Sequence, residues 1–308
     1  MTTLQDWLDA LGHPERYSFS ASMTRLCVYP HIPTRDPART VRVEMWLQAN
    51  GPGTAQRVCK VFPERIDGPL PAVVVPFYYP EAMLALDPAT GESLPSFAEI
   101  PMLLELAARG YAAATADAYH LTYCPSDKAR DDFSRWQDSA DALRRDHPHW
   151  TGMGKLVADT ALLTDALAED PRVDARRIGI AGHSLGGKMA FYAGCLDARI
   201  SVMLCSDFGI GWTQTNWRDD WYWGARLDTL VRRHMDHAAL AAAGGAKPLC
   251  LLAGQYDDAD SLALLEKVPE YAANTDGRLL FLHHAAGHRP PRDAREQGYR
   301  FLDRWLMK

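Results

Sequence analysis

Cysteine is scarce in this chain and follows no pattern. Six of them, Cys27, Cys59, Cys124, Cys195, Cys205 and Cys250, are spread over 308 residues. None has the spacing that holds zinc, and a disulfide framework belongs to shorter, cysteine-dense chains. Several fall in apolar runs, where a free thiol acts as a small hydrophobe. They are read as reduced, which points to the cytoplasm. No apolar run is long enough to cross a bilayer, so no membrane association is expected. The opening Met1-Thr2-Thr3-Leu4-Gln5-Asp6-Trp7-Leu8 has neither the basic start nor the apolar stretch of a signal peptide. Positive charge is also short. There are 33 lysines and arginines against 39 acids, for a formal net charge of -6, with the signs interspersed. That excludes the basic face of a nucleic-acid-binding protein. Repeats and low-complexity linkers are absent, so a single domain over 1–308 is expected, with loop insertions at 118–153 and 207–240.

What the chain does have is an alternation of strand and helix patterns. Residues 4–11 carry apolar positions at helical spacing, ended by Gly12-His13-Pro14. Extended stretches follow around 25–29, 41–48 and 56–62. The last two are joined by Asn50-Gly51-Pro52-Gly53, so the sheet is expected to start antiparallel. Pro71-Ala72-Val73-Val74-Val75-Pro76 is continuously apolar, as a strand buried on both faces must be. A helix over 100–109, closed by Gly110, and a strand over 111–117 complete a βαβ unit. Residues 154–168 read as a helix, 200–205, 248–253 and 278–283 as strands, and 292–307 as a closing helix. The alanine- and glycine-rich 238–246 reads as a connector. The fold class is α/β, a mostly parallel central sheet flanked by helices with cap-like loops.

The chemistry centres on Gly182-His183-Ser184-Leu185-Gly186, a Gly-x-Ser-x-Gly pattern between a strand and a helix. Such a turn carries a serine at its apex in a strained conformation, with glycines where a Cβ would collide. Ser184 is therefore the candidate nucleophile, and the Leu185 amide at the helix start is a candidate oxyanion donor. His183 leaves the turn in another direction and reads as a packing residue. A serine hydroxyl needs a base, and the base needs a carboxylate to fix its tautomer. In chain order the acid and then the histidine follow such a serine. Asp257, in a turn after the 248–253 strand, and His288, in a Gly-His turn after the last strand, fit that order. Asp258 and Asp207 compete with Asp257, and His283 and His284 compete with His288. The three histidines suggest no metal site, because no carboxylate or cysteine completes a ligand set at the usual spacing. No cofactor is implied.

These residues together resemble the α/β-hydrolase superfamily over nearly the whole chain. Within it the chain is similar to dienelactone hydrolase-like and acetyl xylan esterase-like proteins. The esterases of that group carry Pro-Ala, three apolar residues and then His-Gly-Tyr after the third strand, and the tyrosine amide forms half of the oxyanion hole. Pro71 to Tyr79 lies in register, so the resemblance places Tyr79 in that role, with Phe77 and Tyr78 where the family has His-Gly. It also has Leu185 where those esterases carry glutamine. The resemblance implies a serine hydrolase cleaving carboxylic esters through an acyl-enzyme. Lactone hydrolases, thioesterases and small peptidases of the same fold are the alternatives, and a non-catalytic binding protein is the alternative from another class.

Residues 207–224 hold Trp212, Trp217, Trp221, Tyr222 and Trp223, the densest aromatic cluster in the chain. Tyr78 and Tyr119 leave neighbouring strands on the same edge. Tyr78, Trp212, Trp217, Trp221 and Trp223 are the candidate substrate-binding residues. Flat rings with a polar tip suit a sugar or aromatic alcohol, and a short acyl group such as acetyl. The competing reading is a loop that packs on itself.

Overall fold

The strands in chain order are β1 (Met23–Pro33), β2 (Thr40–Gly51), β3 (Thr54–Pro63), β4 (Leu70–Val74), β5 (Ala112–Ala116), β6 (Val173–His183), β7 (Ile200–Ser206), β8 (Leu249–Ala253) and β9 (Leu279–His283). They form one sheet in the order β1-β2-β3-β5-β4-β6-β7-β8-β9. This is a computed structural model, and it describes residues 2–12, 23–36, 38–97, 99–124 and 132–308. β1, β2 and β3 pair antiparallel, β3 pairs antiparallel with β5, and every pairing from β5 to β9 is parallel. The expected antiparallel start and parallel body are both present.

Burial explains the composition of the parallel strands. Ala72 and Val74 of β4 join one apolar cluster, while Val73 joins the other. Met203 and Cys205 of β7 likewise face one way, and Val202 and Leu204 the other. A sheet covered on both faces must be apolar at every position, which is why these strands do not alternate. The helices Gly152–Ala168 and Leu185–Leu196 cover one face, and Met102–Ala108 and Arg292–Leu306 cover the other. All six cysteines are free. Among the described residues no helix is long and apolar enough to cross a membrane, and no group of histidine, cysteine and carboxylate side chains is arranged to hold a metal.

Two local expectations change. Residues 238–246 are not a plain connector, because His237–Ala243 is a helix. Asp236 caps it by accepting from the Ala239 amide, and its alanines are the best helix formers. Residues 118–153 are not loose throughout, since Tyr119–Tyr123 and Asp132–Asp146 are helical. Residues 125–131 of that expected insertion, and His13 and Pro14 of the first helix stop, lie outside the described residues.

The Gly152–Ala168 helix packs backbone-close on the helix Leu4–Leu11. A Cβ on Gly154 would stand 2.2 Å from the Leu11 carbonyl oxygen. Gly154→Ala should therefore force the two helices apart and lower the unfolding free energy by about 1–3 kcal/mol. The urea midpoint reads this, and an unchanged midpoint would show that the first helix yields without cost.

Candidate active site

β6 runs straight into the helix Leu185–Leu196, with Ser184 as the single residue between them. Ser184 has φ 57° and ψ -118°, a left-handed conformation that costs a residue with a Cβ about 1–3 kcal/mol. Its amide donates to the Ser206 carbonyl at 2.8 Å, which ties the turn to β7. A Cβ on Gly182 would sit 2.0 Å from the Gly186 oxygen, and one on Gly186 would sit 2.2 Å from the Pro76 oxygen. Only glycine allows the strand, the helix start and the end of β4 to meet this closely.

His288 lies in the loop after β9. Its Nε2 is 2.9 Å from Ser184 Oγ, and its Nδ1 is 2.7 Å from Asp207 Oδ2. The carboxylate on the histidine is thus that of Asp207, directly after β7, and not that of Asp257. Asp257 is fully buried and turns the other way. It accepts the amides of Phe208, Gly209 and Ile210 at 2.8, 3.0 and 2.7 Å, and the Ser261 hydroxyl at 3.0 Å. Asp258 caps the helix Ala259–Leu265. Burial opposes the charge of Asp207, but the His288 ring and the amides of Asp257, Tyr256 and Gln255 outweigh it and hold its carboxyl below the usual range. Burial pushes the Asp257 carboxyl up, against the pull of the amides.

His183 is buried behind the base, its ring 4.6 Å from that of His288 and its Nδ1 3.1 Å from Ser206 Oγ. Burial and the neighbouring His288 bring it down to about 3, so it is neutral at physiological pH. His283 is exposed, and His284 Nδ1 accepts the Ala286 amide. The Leu185 amide is the first of its helix, so no carbonyl lies one turn back to receive it. Tyr79 is extended just before the helix Pro80–Leu84, with its ring on Phe97.

A cavity of about 450 Å³ opens over Ser184 and His288. Its aromatic wall is Tyr78, Phe208, Tyr222 and Tyr256, and its polar wall is Lys188, Thr215, Asn216 and Asp219. Of the expected substrate-binding residues it brings Tyr78 to the site and leaves the four tryptophans behind the wall. Trp217 is buried, donates from its indole to the Gly209 carbonyl at 2.6 Å, and packs on Trp212 and His237. Trp223 is buried against Tyr192, Trp212 donates to the Met235 carbonyl, and the Trp221 carbonyl accepts from Tyr119. The rings of Trp212, Trp217 and Trp223 pack on one another through Trp212, and that of Trp221 lies beside Tyr222.

Sequence reasoning missed Lys188. It stands one helical turn after Ser184, so it shares that residue's face, and this i, i+4 spacing was the available signal. Its ammonium lies 4.3 Å from the Trp217 ring centre and 4.4 Å from that of Tyr222. It donates to Asn216 Oδ1 at 2.6 Å, and Asn216 in turn donates to Asp219 at 2.5 Å. Burial pulls the ammonium down to about 7, although Asp219 and Asp257 pull it up.

Comparison with known proteins bears on the fold. The model of the dienelactone hydrolase family matches residues 91–202, which include Ser184. No curated protein matches the chain by sequence. A glucuronoyl esterase from Solibacter usitatus superposes with a TM-score of 0.66 at 17% identity, covering 98% of this chain and 93% of its own. One from Teredinibacter turnerae superposes with 0.66 at 17% identity, covering 98% and 86%. An acetyl xylan esterase from Paenibacillus superposes with 0.56 at 18% identity, covering 92% and 90%. The chain has the α/β-hydrolase fold, and residues 91–202 are similar to the dienelactone hydrolase family.

Lys188 gives the site a measurable pH signature. The unfolded chain holds this proton up to about pH 10.5, and the folded chain releases it near 7. Between those values the unfolded state binds more protons, so unfolding free energy rises with pH, by up to about 1.4 kcal/mol per unit. Urea unfolding at pH 7, 8 and 9 should show the stability of the wild type relative to Lys188→Met rising with pH. A flat difference would show that the ammonium keeps its ordinary affinity.

Proposed function

We propose that this protein is a serine esterase that cleaves short acyl esters, such as acetyl, of a ring-shaped polar alcohol. The observation that carries the reading is the unbroken relay from Ser184 Oγ through His288 to Asp207, at 2.9 and 2.7 Å, on the floor of a cavity. In this reading Ser184 attacks the acyl carbonyl as His288 Nε2 takes its proton. Asp207 holds the imidazole in the right tautomer and stabilises the imidazolium. The Leu185 and Tyr79 amides receive the oxyanion. The alkoxide leaves with the proton from His288, and water, activated by the same base, releases the acid from Ser184. The reaction needs no metal or cofactor.

The cavity supports the alcohol side. Lys188, Asn216 and Asp219 offer donors and acceptors in its lining, beside the aromatic rings of Tyr78, Phe208, Tyr222 and Tyr256. That pairing fits the hydroxyl-rich edge and flat face of a sugar better than an aromatic alcohol. The names of the structural neighbours, acetyl xylan and glucuronoyl esterases, are those of ester hydrolases and support the reaction class.

Ser184→Ala should lower turnover of p-nitrophenyl acetate by about 10⁶-fold in folded protein and abolish fluorophosphonate labelling. Substantial residual turnover, free of contaminating esterase, would sink the reading.

Specificity gives a separate check. kcat/KM should fall from acetyl through butyryl to decanoyl p-nitrophenyl esters, and decanoyl as the best substrate would refute the short-acyl assignment. Lys188→Met should raise KM for an acetylated sugar by about 10-fold, the scale of one charged hydrogen bond, while leaving p-nitrophenyl acetate little changed. Equal effects on both would remove Lys188 from the alcohol site.

A further inference from the structure

We propose that Asp257 is a positioning residue for this reaction: its carboxylate fixes the backbone from which Asp207 reaches His288. The inference rests on the serine-esterase reading above. Asp207 has φ 43°, in the left-handed region that disfavours any residue with a Cβ. Something must hold it there, and the structure shows what does. The three residues that follow, Phe208, Gly209 and Ile210, all aim their amides at Asp257. Oδ2 takes the first two and Oδ1 takes the third. The arrangement is reciprocal. Asp207 Oδ1 accepts the amides of Gly254, Tyr256 and Asp257 at 3.0, 2.8 and 3.0 Å, and Oδ2 accepts that of Gln255 at 3.0 Å. Each aspartate thus binds the backbone that carries the other, and both side chains are fully buried.

The His288 loop leans on the same brace. A Cβ on Gly254 would stand 2.2 Å from the Gly287 carbonyl oxygen, so the turn held by Asp207 is the surface on which the residue before His288 rests. Among the described residues, the groups at hydrogen-bond distance from Asp257 are three amides and a hydroxyl that can all donate, and an ionised carboxylate, which only accepts, satisfies them together. An asparagine would turn an NH₂ group towards at least one of those amides. Among the described residues, the other titratable groups around the pair include Lys188, His183, Cys205, Tyr256, His284 and Arg289, and none is altered in the variants below.

The test compares Asp257→Asn, Asp207→Asn and Ser261→Ala, with active sites counted by fluorophosphonate titration. Asp257→Asn should lower kcat by about 10–100-fold with KM little changed, the scale seen when an outer partner of a reacting group is removed. A loosened Asp207 stabilises the imidazolium less, so the acid limb of kcat/KM should move to lower pH. A merely structural aspartate would lower only the melting temperature, and unchanged kcat per titrated site with an unmoved acid limb would overturn the proposal. Ser261→Ala removes one donor from Asp257 and leaves the amides, so it should move both readouts the same way by less. If Asp257→Asn does not fold, Ser261→Ala decides, and kcat and acid limb both equal to wild type would overturn the proposal. Asp207→Asn separates the two layers, since the reading requires a loss of about 10⁴. A benign Asp207→Asn beside an inactive Asp257→Asn would make Asp257 the acid and remove both the reading and the proposal. A severe Asp207→Asn beside a neutral Asp257→Asn would remove the proposal alone.

Discussion

The arrangement depends on three backbones meeting where no side chain fits. A Cβ on Gly182, at the end of β6, would meet the carbonyl of Gly186 in the first turn of the following helix, and one on Gly186 would meet the carbonyl of Pro76 beyond β4. This contact, with the Ser184 amide on the Ser206 carbonyl, holds the serine at φ 57° against its own preference. The strain has a geometric return. It lifts Oγ off the sheet edge, leaves the Leu185 amide at the head of a helix and sets Lys188 one turn further along the same face. The turn also meets the chain after β4 at Pro76, two residues before Tyr78, which lines the cavity over the serine. The proposed nucleophile, one proposed oxyanion donor and the buried cation all follow from a single turn.

The rest of the site follows from parallel pairing. β7, β8 and β9 run the same way, so the residues after their last positions emerge together beside Ser184. Adjacent strands lie about 4.8 Å apart, so an acid after either β7 or β8 is within reach of a histidine carried after β9. Asp207 is the first residue after β7, and its carboxylate extends directly into the space under His288. Asp257 comes four residues after β8, by which point the chain has turned back towards 208–210. The same electrostatic device serves both: a buried carboxylate is tolerated where amide dipoles replace its water.

That explains which parts of the site were legible. The Gly-x-Ser-x-Gly turn, the buried strands and His288 announce themselves because local chemistry dictates them: a strained turn needs glycines, and a sheet covered on both faces needs unbroken apolar runs. The carboxylate that meets His288 does not, because Asp207 and Asp257 both follow a buried strand and both precede His288 in the chain. What separates them is the direction of the 254–257 turn, set by hydrogen bonds between two loops about fifty residues apart. The helix His237–Ala243 was legible in principle, from an Asp cap before an alanine run, but the glycines beyond it suggested a connector. The side of the loop on which the tryptophans lie was not legible, since a loop without periodicity does not declare its inner face.

The tryptophans do bear on the site, though not by lining it. A lysine buried in a cavity wall is costly unless its charge is met. Trp217 and Tyr222 present ring faces to the ammonium at 4.3 and 4.4 Å, and Asn216 accepts one of its three protons. The aromatic layer thus removes water from Lys188 while giving back part of the lost stabilisation as cation–π attraction. Such an ammonium lies in a low-dielectric wall, where one further hydrogen bond donated to a bound hydroxyl oxygen counts for more than it would in water. Packing and recognition are therefore not alternatives for this cluster. The indoles pack on each other and on His237, and that packing keeps the lysine dry beside the serine.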